Sequence, residues 1–509
     1  MSMVNNRKAI IFGEHPLKPS LLAQYGQMGV EVAESASFDP KLFQAHPVRQ
    51  IILLTSEEEG RNAAAALDFL SVLSGFCQPD APRIQVLLLL QNPAILHLLQ
   101  RTDFPPEVNK TFEVWPLTME EIWARNLVVR MPGIRSAGGP SLDRNPITQE
   151  SKSFVHLVIA GTDSYAWEVA VQAAMVAHFP NYDEKAERPL RTRISFISPQ
   201  IAAFRDAFME RYQNLFTHSF YRTVKVEEKT SALHHPLFEG KRPDFVDVEW
   251  EFVEASLSNP LVADRLSSWA EDPSRQLTLV ITGWEDASNV QNCLSVPEKL
   301  FEKDVPVWVL QRKHNWTSAL PASRKVLPFG LESAGLDVRM PLVEMAKLLH
   351  YFYTYSYQFQ ELPTSFPPEE VEAAWQNAGP LKMRCSNVYN VMTMAGKMRS
   401  LGHGGDDWRQ FYALSPEEVE ALAKTEHNRW SVERLISGSR PCTEKEREEI
   451  QADIKLKRQY KKERDAHLDL CSYEELLPDE TGRNVKDYDR DLTACIPLLA
   501  QTYFSRTEK

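Results

Sequence analysis

Cysteine is scarce in this chain. Six cysteines, Cys77, Cys293, Cys385, Cys442, Cys471 and Cys495, are spread over 509 residues without a CxxC spacing, which excludes a disulfide scaffold and a cysteine-built metal site and suits a reducing compartment. Positive charge is also short: 57 Lys and Arg stand against 69 Asp and Glu, giving a net charge of −12 and a pI near 5.7. Binding to nucleic acid or to an anionic membrane needs a dominant basic face, so neither partner is expected. Long apolar runs are missing too. The most apolar segment, "RIQVLLLLQNPAILHLLQ", is broken by Gln91-Asn92-Pro93 and is too short to span a bilayer. The opening "MSMVNNRKAIIFGEH" passes from a polar start into a strand-like run with no signal-peptide pattern. A soluble, cytoplasmic protein with no direct membrane insertion is expected.

Catalytic signatures are absent as well. The chain has no Walker motif, no HExxH, no nucleophile elbow with Ser/His/Asp order and no close carboxylate pair. No catalytic residue and no metal ligand is therefore nominated.

What the chain does have is length and alternation. At about 100 to 200 residues per domain, 509 residues suggest three domains, and 43% hydrophobic with 25% charged residues is the make-up of a globular protein. Within 1–130, strand-like runs ("KAIIFG", "VEVAES", "RQIILLTS", "IQVLLLL", "FEVWPL") alternate with helical ones. Strands apolar throughout indicate a parallel sheet covered on both faces, a Rossmann-like α/β domain. Residues 131–152, rich in Pro, Gly and Ser, read as a linker. The alternation resumes over 153–360 with "FVHLVIAG", "RISFIS", "VDVEWEFVE", "LTLVITG" and "VPVWVLQ", a second Rossmann-like domain. After the Pro-rich "ELPTSFPPEE" strand signals vanish, so 367–509 is expected to be helical, including one long charged helix in "TEKEREEIQADIKLKRQYKKERDAH" and a kink at Pro497. The fold class expected is α/β plus α.

In doubly wound sheets, ligands sit at the carboxyl ends of the strands. The first turn, "FGEHPLKPS", has Gly13 but no GxGxxG, and Glu14 opposes phosphate. In the second, "IAGTDSYAWE", Gly161, Asp163 and Ala166 occupy the three fingerprint positions, with Asp in place of the glycine that lets backbone approach a pyrophosphate. The loop "VITGWEDASN" is either a plain loop with an acidic first helical turn or the opposite wall of a nucleotide crevice, Gly283 and Trp284 facing Gly161 and the indole stacking on a base.

A third place is unusual. Ser415-Pro416-Glu417-Glu418 reads as a capping box that starts a helix, and the stripe opened by Val419 and Ala423 continues as His427, Trp430 and Arg434. Such a stripe is either a hydrogen-bonded structural network or a ligand pocket. The run Lys455, Lys457, Arg458, Lys461, Lys462 and Arg464 alternates with acids and reads as a solvated face.

Two resemblances follow. "VRQIILLTSEEEGRNAAAALDFL", with Asn62 and an acidic stretch after the strand, and "RIQVLLLLQNPAILHLL" resemble the TrkA amino-terminal, or RCK, module of potassium-uptake regulators. That resemblance implies NAD or ATP binding, a homodimer and a transporter or effector partner. Residues 412–505 resemble the ryanodine receptor (RyR) repeat through His427, Asn428, Trp430, Arg434 and Gly438, then Leu470, Tyr473, Leu476, Leu477, Asp479, Lys486, Asp487 and Arg490. Where the family often has Gly-Trp, this chain has Gly438-Ser439. This second resemblance implies an adenine-nucleotide pocket in which Arg434 and Arg490 hold phosphate, His427 and Asn428 bond base or ribose, and Tyr473 stacks. In the structural alternative, Arg434 pairs with Asp469 or Asp487. Together these point to a non-enzymatic regulator of TrkA/RyR type responding to an adenine nucleotide or NAD-like ligand. An NAD(P)-dependent oxidoreductase and a ligand-free interaction scaffold are the alternatives.

Overall fold

A computed structural model describes residues 8–44, 48–56, 62–78, 81–101, 104–131, 134–228, 230–234, 245–332, 335–359, 361–403, 407–479 and 481–507. The chain divides into two compact units: Met1–Arg125 with Gly330–Met340 and Gly379–Cys385, and Asn126–Phe329 with Pro341–Ala378 and Ser386–Lys509.

The first unit holds five parallel strands, β1 (Lys8–Phe12), β2 (Glu31–Ser35), β3 (Gln50–Leu54), β4 (Ile84–Leu90) and β5 (Phe112–Thr118), in the order β2-β1-β3-β4-β5. The inner strands are apolar because both faces are covered; Ile10, Ile52 and Leu87 are fully buried. Pro116 lies in β5, an edge strand, where a missing N–H costs no ladder bond. The order 2-1-3-4-5 is the flavodoxin-like variant of the doubly wound sheet and not the Rossmann order 3-2-1-4-5-6. Asn62 caps the Ala63–Ser74 helix, accepting from Ala65 N at 3.0 Å, whereas the acidic stretch Glu57–Glu59 lies outside the described residues.

The second unit carries β6 (Phe154–Ala160), β7 (Thr192–Ser198), β8 (Tyr221–Lys225), β9 (Thr230–His234), β10 (Val248–Glu254), β11 (Arg275–Ile281), β12 (Val307–Leu310) and β13 (Val326–Phe329). Their order is β13-β12-β11-β6-β7-β10-β8-β9, parallel except for the β8/β9 pair. Without the β8/β9 hairpin at one edge, the six remaining strands follow the Rossmann order 3-2-1-4-5-6. The hairpin and β13 were not expected from the sequence; β13 is a four-residue edge strand containing Pro328. Residues 134–152 hold no helix or strand, yet Leu142, Asp143 and Ile147 are buried, so the linker segment is packed.

The same unit contains the helices after Ser386. Ser415 and Glu418 form the capping box that starts the Pro416–Ile436 helix, and nearly every residue from Leu422 to Ile436 is buried or half-buried, so this helix is central and has no solvent face there. The expected long charged helix is instead two, Glu444–Ala452 and Leu456–Arg464: Asp453 is extended, Arg464 reaches back to Glu446 at 3.0 Å, and the Tyr460 hydroxyl donates to Glu449. The last helix pair, Lys486–Ala494 and Ile496–Thr507, breaks at Cys495, just before Pro497. Among the described residues, no helix is long and apolar enough to cross a membrane.

Candidate functional site

The switch point of a 3-2-1-4-5-6 sheet lies between its first and fourth strands, here β6 and β11, and the loops leaving them are those singled out in the sequence. Gly161 follows β6 with φ +152°, and a Cβ there would stand 2.0 Å from Thr282 Oγ1 at the end of β11. A Cβ at Gly283 would meet Asn289 Oδ1 at 2.5 Å. Both glycines are thus required by neighbouring protein atoms. Asp163 caps the Ser164–Val176 helix, its Oδ1 accepting from Ala166 N at 2.8 Å. The fingerprint helix has therefore given its first-turn N–H to its own carboxylate, where a dinucleotide fold offers it to pyrophosphate. Asp163 and Thr282 are buried side by side at this turn, and the Thr282 hydroxyl lies within reach of the Asp163 carboxyl. Burial raises the Asp163 pKa, against the lowering effect of the cap bond, the Thr282 hydroxyl and the Arg312 charge. Ala166 is fully buried, whereas Trp284 is 76% exposed.

The loop after β12 completes this end of the sheet. Asp286 accepts from the backbone N–H groups of Arg312 (2.9 Å), Lys313 (2.9 Å) and His314 (3.4 Å), bonds that pull its pKa down against burial. Gln311 donates to Asp286 O at 2.9 Å and accepts from Trp316 N at 2.8 Å. Asn289 donates to the carbonyls of Gly283 and Leu310. These loops are pinned, while Trp316 remains 48% exposed.

A line of buried polar groups crosses the same sheet. His156 Nδ1 faces Arg275 at 3.1 Å and can only accept there, so Nε2 carries the proton and donates to Ser195 Oγ at 2.8 Å. Ser195 in turn donates to Glu251 at 3.3 Å. Burial, reinforced by Arg193 and Arg275, holds the His156 pKa well below 6.5. In a nucleophilic pair the serine proton goes to histidine; here it goes to Glu251, and Ser195 is fully buried, so this pair is structural.

The residues of the expected helical pocket lie in the central helix, in a short turn at Tyr473–Glu475 and in the Lys486–Ala494 helix. His427 is buried, with Nε2 on Cys471 O at 2.9 Å and Nδ1 3.4 Å from Asp489. Burial lowers its pKa, but the Asp489 contact outweighs this and the net shift is upward. Asn428 and Tyr473 are buried, and Lys486 Nζ lies 4.6 Å from the Tyr473 ring centre. Arg490 is clasped by Glu420 (2.6 and 3.1 Å) and Asp487 (2.8 Å). Arg434 lies over the Trp430 ring and 3.4 Å from Glu433. It does not pair with Asp469, which Lys457 holds at 2.9 Å, nor with Asp487. The structure brings His427, Trp430 and Tyr473 together and places Gly161, Asp163, Gly283 and Trp284 at the other site.

Sequence reading missed the most deeply buried charges. Lys397 bonds Glu426 at 2.6 Å, and Arg429 bonds Glu426 at 2.8 to 3.0 Å and Glu433 at 2.9 Å, with all four side chains at most 2% exposed. The i, i+3, i+7 spacing of Glu426, Arg429 and Glu433 was the available signal. Beside them lies a cavity of about 30 Å³, lined among others by Lys397, Arg399, His178 and Arg429, with room for about two waters. Arg399 there is paired with Asp143, and His178 with Asp247. Among the described residues, no group of three or more His, Cys, Asp or Glu side chains could hold a metal ion.

No protein-family model and no curated protein matches this chain. Among solved structures, a D-isomer specific 2-hydroxyacid dehydrogenase from Lactobacillus delbrueckii ssp. bulgaricus in its NAD complexed form is 10% identical over 65% of this chain and 91% of that one, with a TM-score of 0.17. NtrX from Brucella abortus in complex with ADP is 9% identical over 84% of this chain and 92% of that one, with a TM-score of 0.15.

Proposed function

We propose that this protein is a non-enzymatic regulator that binds an adenine-containing nucleotide at the switch point of its second sheet. The supporting observation is Trp284, 76% exposed on a hydrogen-bonded loop at the β6/β11 switch point, an indole presented to a flat ring. The resemblance to TrkA-type modules and RyR repeats suggests the class, with a homodimer and a transporter or effector partner as its further consequences. In this reading the RyR-like region is the responding element, because its own cations are already matched by carboxylates.

The test is thermal unfolding of the full chain with NAD, NADH, ATP, AMP, ADP-ribose and cyclic dinucleotides, followed by quenching of Trp284 fluorescence. Binding to the native state stabilises by about 2.7 kcal/mol at a hundredfold excess over Kd. A shift with at least one ligand that disappears in Trp284→Ala is expected. No shift with any of them at millimolar concentration would hand the lead to the scaffold alternative.

A further inference from the structure

In dinucleotide-binding sheets the phosphates are received by the helix that follows the first strand. That place is closed here, since Asp163 occupies the Ala166 N–H and adds a negative charge. If a phosphorylated ligand uses this crevice, its charge must be met elsewhere.

We infer that the Gln311–Trp316 loop is the anion-recognising wall of the switch-point crevice, so that a nucleotide lays its base on Trp284 and its phosphates on Arg312, Lys313 and His314. This rests on the nucleotide reading above. Three observations carry it. The loop follows β12, the neighbour of β11, and is fixed in place by three backbone bonds to Asp286, two residues after Trp284. Its cations therefore stand at the same end of the sheet as the indole, on a backbone that needs no ordering when the ligand arrives. Lys313 and His314 are exposed, with Trp316 beside His314 at 6.2 Å between ring centres. Asp286 is already engaged by backbone N–H groups and stands 3.6 Å from Arg312 Nε, which leaves the terminal nitrogens of Arg312 to a phosphate oxygen.

The experiment titrates ATP and adenosine calorimetrically into the full chain and into the double variant Lys313→Ala/His314→Ala, which leaves Arg312 and the Asp286 bonds in place. ATP affinity is expected to fall tenfold to a hundredfold in the variant, with adenosine affinity and the melting temperature of the free protein unchanged. An unaltered ratio of ATP to adenosine affinity overturns the inference while leaving the nucleotide reading intact, and so does a parallel loss of both ligands. If the wild-type chain binds neither ATP nor adenosine, the nucleotide reading itself falls and this inference with it.

Discussion

The switch-point loops and the central Pro416–Ile436 helix were both nominated from sequence for the same ligand, and they differ in what they leave exposed. Around the helix, charge is matched internally: Arg490 by Glu420 and Asp487, His427 by Asp489, and Arg429 by Glu426 and Glu433. At the sheet, backbone groups are matched but two indoles, Trp284 and Trp316, are left in solvent. A network that satisfies itself has little to offer a ligand. A site keeps functional groups waiting, at a cost in stability.

The largest blow to this contrast is Arg429→Ala. It leaves buried Glu426 to Lys397 alone and buried Glu433 to Ser386 and a 3.4 Å approach from Arg434, and we expect a loss of about 3 to 5 kcal/mol in urea unfolding, with collapse of the helical region. A loss under 1 kcal/mol would mean that the network is not self-sufficient. The two buried histidines give the next effect, with opposite signs. His427 has a raised pKa, so its contribution is full below about 6.5, the ordinary histidine value, and drains away as pH rises through the folded value. His156 has a lowered pKa, so its contribution is present above about 6.5 and is lost as pH falls. Unfolding midpoints from pH 5 to 8 should therefore decline at both ends, with His156→Asn flattening only the acid limb and His427→Asn only the alkaline one.

Arg490→Ala is a smaller perturbation. Its side chain is one-third exposed, and a partly solvated pair is worth at most about 1 kcal/mol. Its removal should leave nucleotide affinity unchanged; a drop of tenfold or more would move the phosphate site to the helix.

The sheets were legible because strands buried on both faces are written as apolar runs: "FVHLVIAG" marks β6 to within a residue, and "LTLVITG" overlaps β11 with its ends shifted by two. Strand order was not legible: the same alternation yields 2-1-3-4-5 in one sheet and 3-2-1-4-5-6 in the other, because order is set by which face each connection crosses. The hairpin β8/β9 escaped because its first strand, "YRTVK", is polar and partly exposed. The stripe His427, Trp430, Arg434 was seen, but a helix buried on all sides has no single informative stripe. Glu426, Arg429 and Glu433 lie buried on another face of the same helix.

The finest test of the contrast is Asp163→Asn. Asparagine keeps an oxygen for Ala166 N and is as good an N-cap as aspartate, so the helix start should survive. What changes is the charge. The carboxylate is buried and burial raises its pKa, so its ionised form is disfavoured where it stands. In a purely structural cap, trading it for a neutral amide would be indifferent. In a site that keeps a group waiting, the variant should be as stable as the wild type or slightly more so, by less than about 1 kcal/mol. That gain should fade as pH falls through the raised Asp163 pKa, because the wild-type carboxyl becomes neutral too. Nucleotide affinity should rise for phosphorylated ligands and stay level for adenosine, since a negative charge at the helix start has gone. If Asp163→Asn instead destabilises the protein by 2 kcal/mol or more, the carboxylate is part of a satisfied network, and the sheet and the central helix no longer differ in kind.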